Sequence, residues 1–546
     1  MKNKQEQEMK EISSSGIFSS FTEKNRIYVD KTEQIYSLVT KLDKILISRP
    51  RRFGKSLTLD TIGTLFEKGV EPYFKNTWIY DRWKEPVCPV LRIDFLIYPK
   101  DSVEEFKRQF VMSISEFAQY YEVKGYKEDK EPGLSLRSLL NSLNREERYA
   151  VLILDEYDCQ LSANINNEEL YEKYRECICS IYAALKSAPA IRFMAVAGVT
   201  RLKDASIFSV GSDIRDISNE SAYSQLIGFT RDEIRTYYID YLKLAASYDN
   251  HISQSEVTSS QVEAVLDRMA EQYNGYCFDR YAKKTVFSTW SVNNFLQEVS
   301  QSSECHYGDY WYENGGLPSI LVNYLNSHKL TSMDYLTEDG TIDVNYNLYM
   351  NPTTLKSMDQ SVLMCQTGYL TLKSPLEPYS YVKLGVPNGE VKRALLIGLS
   401  NLCFTKLPQL SAEERELLDR GEVSSVIALF DAIMNSIVYD SYDVDCEGAV
   451  RNSLFLYLNG AKVDVRCESH SSKGRADLII ETPNRRTVVE LKHTDSETDV
   501  KDRLSEAAAQ IKERDYGNTA PLKELVRIAA VFNSDPKVRS FTFEKV

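Results

Sequence analysis

The sequence predicts an α/β protein with three parts: an N-terminal parallel sheet, a mainly helical middle region and a smaller C-terminal α/β domain. Three observations predict it. Short apolar runs alternate with helical stretches between residues 44 and 197, the pattern of strands buried on both faces of a parallel sheet. From about 230 to 440 the pattern is mainly helical and rich in Tyr, Asn and Ser. From 441 it changes again to helix, strand, hairpin, helix and strand. A chain of 546 residues is too long for one core, so several domains follow. Their expected spans are 1–235, 236–440 and 441–546.

In order, the first strand is Lys44–Ser48, followed by a basic turn and a helix beginning near Ser56. Further strands are expected at Pro89–Phe95, Tyr149–Leu154 and Ile191–Ala197, with a helix over 167–187 between the last two. In the middle region, Gly368–Lys373 and Tyr379–Leu384 read as a strand pair. A helix on either side allows a winged-helix-like unit near 350–400. In the last part a helix over 446–458 ends at Gly460, read as a C-cap. A strand Lys462–Cys467, a hairpin over about 475–493, a helix over 500–515 and strands at Val526–Phe532 and 538–544 follow.

Composition excludes several function classes. Hydrophobic residues make up 43% and charged residues 27%, ordinary for a globular chain. No stretch approaches the ~20 apolar residues that cross a bilayer. The polar N-terminus lacks the apolar run of a secretory signal. The expectation is therefore a cytoplasmic protein with no membrane partner. The ten cysteines and five histidines do not form a zinc pattern; Cys177 and Cys179 are the close pair, in a spacing unusual for zinc. A net charge of −13 argues against a protein that coats nucleic acid with its whole surface. It leaves room for a local basic groove.

The turn after the first strand reads Arg49-Pro50-Arg51-Arg52-Phe53-Gly54-Lys55-Ser56. Its last three residues match the end of a phosphate-binding P-loop, and strand and helix flank it as that loop requires. Backbone N–H groups at a helix N-terminus cradle phosphates. Lys55 is expected to reach the β- and γ-phosphates of ATP, and the Ser56 hydroxyl to bind Mg²⁺. Arg49 stands where the general motif has its first Gly. The strand 149–154 runs into Asp155-Glu156, the Walker-B pattern. Asp155 is expected at the Mg²⁺, and Glu156 to polarise the attacking water. At the end of the strand 193–197, Thr200 or Arg201 is a candidate γ-phosphate sensor.

The C-terminal hairpin carries a second constellation. Pro483-Asn484 suits a type I turn. If Glu481 pairs with Arg486, Asp477 falls opposite Glu490, with Lys492 two residues along on the same face. Two carboxylates this close favour a divalent cation between them, and oxygen ligands suit Mg²⁺ or Mn²⁺. The metal would polarise a phosphodiester oxygen and lower the pKa of bound water, with Lys492 orienting the water or stabilising charge. Arg485, Arg486, Lys492, Lys501 and Arg503 form a basic cluster that could touch phosphates.

These stretches carry a family resemblance. Tyr28-Val29-Asp30-Lys31-Thr32 followed by Ser48–Ser56 is similar to the AAA-ATPase-like family of bacterial and archaeal proteins with a PD-(D/E)XK nuclease-type domain behind the ATPase. Further matching stretches are Ser206–Ser209, Ile227–Thr230, Tyr273–Tyr276, Gln366–Thr371 and Pro387–Val391, so the resemblance spans nearly the whole chain. It implies that an Arg-rich P-loop without the first Gly is normal. It also implies that Asp477, Glu490 and Lys492 are the nuclease core and that Glu447 completes the metal shell. Gln510 and Tyr516 match the family's Gln-and-Tyr helix, where Gln510 positions Lys492 or the backbone. The family often has His four residues after the helical Glu; this chain has Arg451.

The first functional expectation is an ATPase whose nucleotide state controls a Mg²⁺-dependent nuclease acting on DNA, with RNA the lesser alternative. The second is an ATP-dependent nucleic-acid-binding switch whose nuclease-like domain does not cleave. A third is an interaction scaffold with two relic sites. An oligomer is compatible with any of them, and no arginine finger is assigned.

Overall fold

The computed structural model describes residues 9–186, 188–202, 213–311, 317–325, 328–330, 333–337, 340–440, 442–471, 474–514 and 523–546. The chain packs as two compact units. One comprises Met1–Tyr324 and Asp343–Val391, the other Leu325–Ile342 and Lys392–Val546.

The first unit is built on a five-stranded sheet of β1 (Lys44–Ser48), β2 (Val90–Asp94), β3 (Ala150–Asp155), β4 (Ile191–Gly198) and β5 (Arg215–Asp216). The strand order is β2-β3-β4-β1-β5 and every pairing is parallel. β1 and β3 are buried along their whole length, which is why their sequences are continuous apolar runs rather than alternating ones. The helices Lys55–Lys68, Val103–Tyr120, Pro132–Arg145 and Glu168–Leu185 connect them. Ser102 and Asn167 cap two of these helices with side-chain oxygens on backbone N–H groups.

A helical cluster follows in the same unit. The helices Ile239–Asn250, Ser259–Tyr273 and Thr289–Ser302 bury Leu242, Val265, Leu266, Met269, Val292, Phe295 and Leu296 against one another. A short pair, β6 (Tyr276–Cys277) and β7 (Thr285–Val286), is set among them. A three-stranded sheet has the order β8-β10-β9, from β8 (Ile342–Asn345), β9 (Thr371–Leu372) and β10 (Tyr381–Gly385). The helix Gln360–Gln366 precedes β9, and Gly389–Cys403 follows β10.

In the second unit the helix Glu447–Gly460 leads into β11 (Asp464–Ser471), β12 (Gly474–Glu481), β13 (Arg485–Thr494), β14 (Glu524–Asn533) and β15 (Ser540–Lys545). The five strands lie in chain order, antiparallel except β13 and β14, which are parallel. The helix Val500–Arg514 makes that parallel crossover and buries Ala507, Ala508 and Ile511 on the sheet. Gly460 is the last helical residue and not a C-cap; Ala461 holds that place. A Cβ at Gly460 would lie 3.0 Å from the Pro408 Cβ, so close packing accounts for the glycine. Among the described residues no helix is long and apolar enough to cross a membrane.

Candidate functional sites

The P-loop turns on two left-handed residues, Arg52 (φ 69°) and Gly54 (φ 95°), before the helix Lys55–Lys68 starts. Nothing lies within 4 Å of a Cβ built at Gly54, so its backbone conformation, not space, calls for glycine there. Lys55 is buried. Its ammonium donates to the carbonyls of Arg49 (3.1 Å) and Pro50 (3.2 Å) and lies 3.2 Å from Glu156 Oε1. The Ser56 hydroxyl donates to Asp155 Oδ2 at 2.6 Å, and the Glu156 N–H donates to Asp155 Oδ1 at 2.9 Å. Burial pushes the Asp155 carboxyl up to about 6, opposed by the Ser56 hydrogen bond. Glu156 is itself in the left-handed region (φ 53°), an uncommon conformation that recurs at functional positions. A cavity of about 290 Å³ opens beside Lys55 and Ser56. Its apolar wall includes Phe21, Ile27, Val29, Leu226, Ile227 and Trp290. A second cavity of about 310 Å³ shares Arg51, Arg52 and Glu156 with the first.

In the second unit, β12 and β13 pair from Glu481↔Arg486 to Leu478↔Val489, the register expected from the turn. The turn closes through the Thr482 N–H on the Arg485 carbonyl and the Arg485 N–H on the Thr482 hydroxyl. Beyond Leu478, the Asp477 carboxylate accepts the Leu491 N–H at 2.7 Å. The Lys492 ammonium lies 3.2 Å from Glu447 Oε2 and 3.6 Å from Glu490 Oε1. Glu490 is 1% exposed, and its Oε2 is buried with no hydrogen-bond partner among the described residues. Burial raises the carboxyls of Asp477, to about 6, and of Glu490, to about 8; the Asp477 charge adds to the rise at Glu490. Among the described residues, no three His, Cys, Asp or Glu side chains stand together as a preformed metal cluster. The orphaned Glu490 oxygen nonetheless fits a cation ligand: a buried carboxylate oxygen without a donor is costly unless something positive reaches it.

Residues 15–208 match the family model described as a predicted AAA-ATPase, and residues 445–541 match that of the PD-(D/E)XK nuclease superfamily. The chain joins an AAA-ATPase-like domain to a nuclease-superfamily domain. The AAA-ATPase-like domain holds the P-loop and the Asp155-Glu156 pair, and the nuclease-superfamily domain holds Glu447, Asp477, Glu490 and Lys492. A curated relative is the uncharacterized protein in the vnfD 5′ region of Azotobacter chroococcum mcd 1. It is 27% identical over 472 residues, covering 83% of each chain. Similar solved structures include Cdc6p from Pyrobaculum aerophilum, at 12% identity and TM-score 0.24 over 66% of this chain and 90% of that one. The Aeropyrum pernix ORC1 protein, in complex with DNA, follows at 10% identity and TM-score 0.27 over 67% and 91%. Scores of this size are below the range that marks a shared fold.

Several expected site residues of the AAA-ATPase-like domain have other employment. The Arg49 guanidinium is 1% exposed and donates to the carbonyls of Ser48 (2.8 Å), Ser218 (2.7 Å) and Tyr223 (3.4 Å), over the Phe278 ring. Burial lowers its pKa to about 9. Its side chain is thus an internal clamp, which explains an Arg where the general motif has Gly. Phe53 is buried edge-on against Tyr276, Phe278 and Trp311. The Thr200 N–H and hydroxyl both donate to Asp158, and Arg201 is held by Asp216, Asn219 and the Met350 carbonyl. These partners give the two candidate sensors structural duties.

Sequence reading missed what binds the loop from behind. A Cβ at Gly368 (φ 91°) would lie 2.9 Å from the Pro50 Cβ, and Thr289 Oγ1 donates to the Arg52 carbonyl at 2.9 Å. A Cβ at Gly275 (φ 95°) would lie 2.1 Å from the Pro387 carbonyl, and Asn388 donates to the Asn274 carbonyl. Two of the matching stretches, Gln366–Thr371 and Tyr273–Tyr276, therefore meet the P-loop at Pro50 and Phe53. Asp30 accepts the N–H groups of Thr32 and Trp78, and Lys31 bonds the Gln225 carbonyl and Glu233.

In the nuclease-superfamily domain Gln510 is half-buried and, among the described residues, makes no hydrogen bond to Lys492. Tyr516 and Ser206–Ser209 lie outside the described residues. Arg451 pairs with Asp334. Most of the expected basic cluster is neutralised locally: Arg485 by Glu524, Arg486 by Glu481, Lys492 by Glu447 and Arg503 by Glu506.

Proposed function

We propose that the first unit binds and hydrolyses ATP with Mg²⁺, and that the second is a metal-dependent phosphodiesterase acting on DNA. The meeting of Lys55, Ser56, Asp155 and Glu156 at one helix N-terminus, beside a cavity, supports the first half. Lys55 exchanges the Arg49 and Pro50 carbonyls for the β- and γ-phosphates, while the N–H groups of the loop bond phosphate oxygens. Ser56 and Asp155 would hold Mg²⁺, which offsets phosphate charge. Glu156 orients the attacking water and accepts its proton.

The orphaned, buried Glu490 oxygen supports the second half. Asp477 and Glu490, with Glu447, would hold Mg²⁺ or Mn²⁺ through oxygen donors. A bound divalent cation supplies an activated water and a polarised phosphodiester oxygen. Lys492 orients that water or stabilises the charge that develops. Ten cysteines with no disulfide among the described residues suit a reducing compartment, and we place the protein in the bacterial cytoplasm.

Purified protein is incubated with linear and circular DNA, single-stranded DNA and RNA, with Mg²⁺ or Mn²⁺, with and without ATP. Cleavage lost in Glu490→Ala establishes the nuclease, and its dependence on ATP and on Lys55 establishes coupling. No cleavage of any substrate overturns the nuclease half. The binding-switch reading is favoured by one observation: an ammonium, that of Lys492, already sits between Glu447 and Glu490. Titration with Mn²⁺ separates the two readings, because a chain that takes up no metal is left with the switch.

A further inference from the structure

We propose that Arg51 is the arginine that neutralises the γ-phosphate during hydrolysis, supplied by the P-loop of the same chain rather than by a neighbour. The proposal rests on the ATPase reading above. The loop carries three arginines, and two are committed. Arg49 is buried on the carbonyls of Ser48, Ser218 and Tyr223. Arg52 donates to the Trp311 carbonyl at 3.1 Å and lies over the Trp290 ring, 4.9 Å from its centroid. Arg51 is exposed and makes no hydrogen bond or ion pair among the described residues. It lines both cavities that meet at the loop, together with Glu156.

The backbone on either side of Arg51 is fixed. Pro50 packs against Gly368, and the Arg52 carbonyl accepts Thr289 Oγ1. An uncommitted guanidinium on a pinned loop, lining the same cavities as the candidate base, is available to an anion bound there. Its long side chain has five donors in a fork that matches phosphate oxygens. Burial lowers the pKa of Arg52, and the Arg51 charge adds to that lowering. An anion at this point would relieve the repulsion between the two.

In the step itself the water oxygen forms a bond to the γ-phosphorus and its proton passes to Glu156. The bond from the γ-phosphorus to the β–γ bridging oxygen breaks, and ADP leaves with that electron pair. Arg51 bonds the γ-phosphate oxygens as their charge shifts. An arginine in this role contributes about 10³-fold or more to turnover.

Three readouts on the full-length chain test this. Arg51→Ala is expected to bind a fluorescent ATP analogue as the unaltered protein does, to lose about 10³-fold in kcat, and to fail to trap ADP with fluoroaluminate. Added guanidinium is expected to restore part of its turnover. Mixing Arg51→Ala with Glu156→Gln protein is expected to restore none, because an arginine acting within its own chain cannot serve another. Wild-type turnover and trapping in Arg51→Ala would overturn the proposal. So would loss of ATP binding in Arg51→Ala, or recovery in the mixture, which marks an arginine acting between chains. Lys55→Ala separates the two levels: if it binds ATP like the unaltered protein, the ATPase reading fails, whatever Arg51 does.

Discussion

Both units set a lysine among buried carboxylates, and the two arrangements differ in how the charges are settled. In the first, Asp155 has the Ser56 hydroxyl and the Glu156 N–H, and Glu156 has Lys55. Each group already has a partner, so a ligand must exchange contacts rather than supply missing ones. In the second, Lys492 is shared by Glu447 and Glu490, and one Glu490 oxygen has no partner among the described residues. The supports differ too. The first is a loop pinned from behind by residues far away in sequence; the second is a pair of strands. A site that exchanges partners suits a nucleotide that comes and goes. A site with an unbonded buried carboxylate oxygen suits a resident cation.

The largest effects should fall on the candidate bases and ligands. Glu156→Gln is expected to lower ATP turnover by about 10²–10⁴-fold while leaving ATP binding intact, measured by phosphate release and analogue binding. Turnover unchanged in this variant would remove the Lys55–Glu156 pair from the chemistry and break the comparison. Glu490→Ala should abolish metal uptake in the second unit, read by Mn²⁺ titration, and leave ATP turnover unaffected.

Next in size is Arg49→Met, which leaves buried carbonyls without their donor. A loss of about 3 kcal/mol in unfolding free energy is expected. A loss of ATP binding in a chain as stable as the original would show that Arg49 meets the nucleotide after all.

A smaller effect sharpens the contrast through pH. The folded chain raises Asp477 to about 6 and Glu490 to about 8, above the ordinary carboxylate values of 3.8 and 4.5. Between those limits the folded state holds more protons than the unfolded one, so these groups favour folding at low pH. Their contribution is lost as pH rises toward 8. Glu490→Gln should therefore stabilise the metal-free protein most near pH 8, seen as a Tm difference from wild type that grows with pH. Mg²⁺ should raise the wild-type Tm more at pH 8 than at pH 5, because it competes with the proton. The smallest effect is that of Gly54→Ala, where backbone strain alone costs about 1 kcal/mol.

Much of both sites was legible from short-range pattern. A strand, a turn and a helix are local, so Lys44–Ser48 and the Lys55-Ser56 helix start follow from periodicity and glycine chemistry. The β12–β13 register is also local, because a tight turn counts residues. The duties of Arg49, Thr200 and Arg201 were not legible. Their partners are Ser218, Asp158 and Met350, and of these three only Asp158 lies beside a motif that sequence pattern singles out, the Asp155-Glu156 pair. The strand β5, two residues long, carries too little pattern to be seen.

By itself the sequence determined which chemistry each end of the chain can attempt. Residue type sets charge, oxygen-donor character and turn preference, and the heart of each constellation, Lys55-Ser56 in one and Asp477 to Lys492 in the other, lies within a single strand–turn–helix or hairpin segment. Only the tertiary structure decided which of those charges are spent. Among the described residues, it turned Arg49 inward, left Arg51 uncommitted and buried one Glu490 oxygen without a donor. The physical reason is that burial and pairing depend on groups brought together across hundreds of residues. The desolvation that makes a charge costly or useful belongs to its surroundings, not to its place in the sequence.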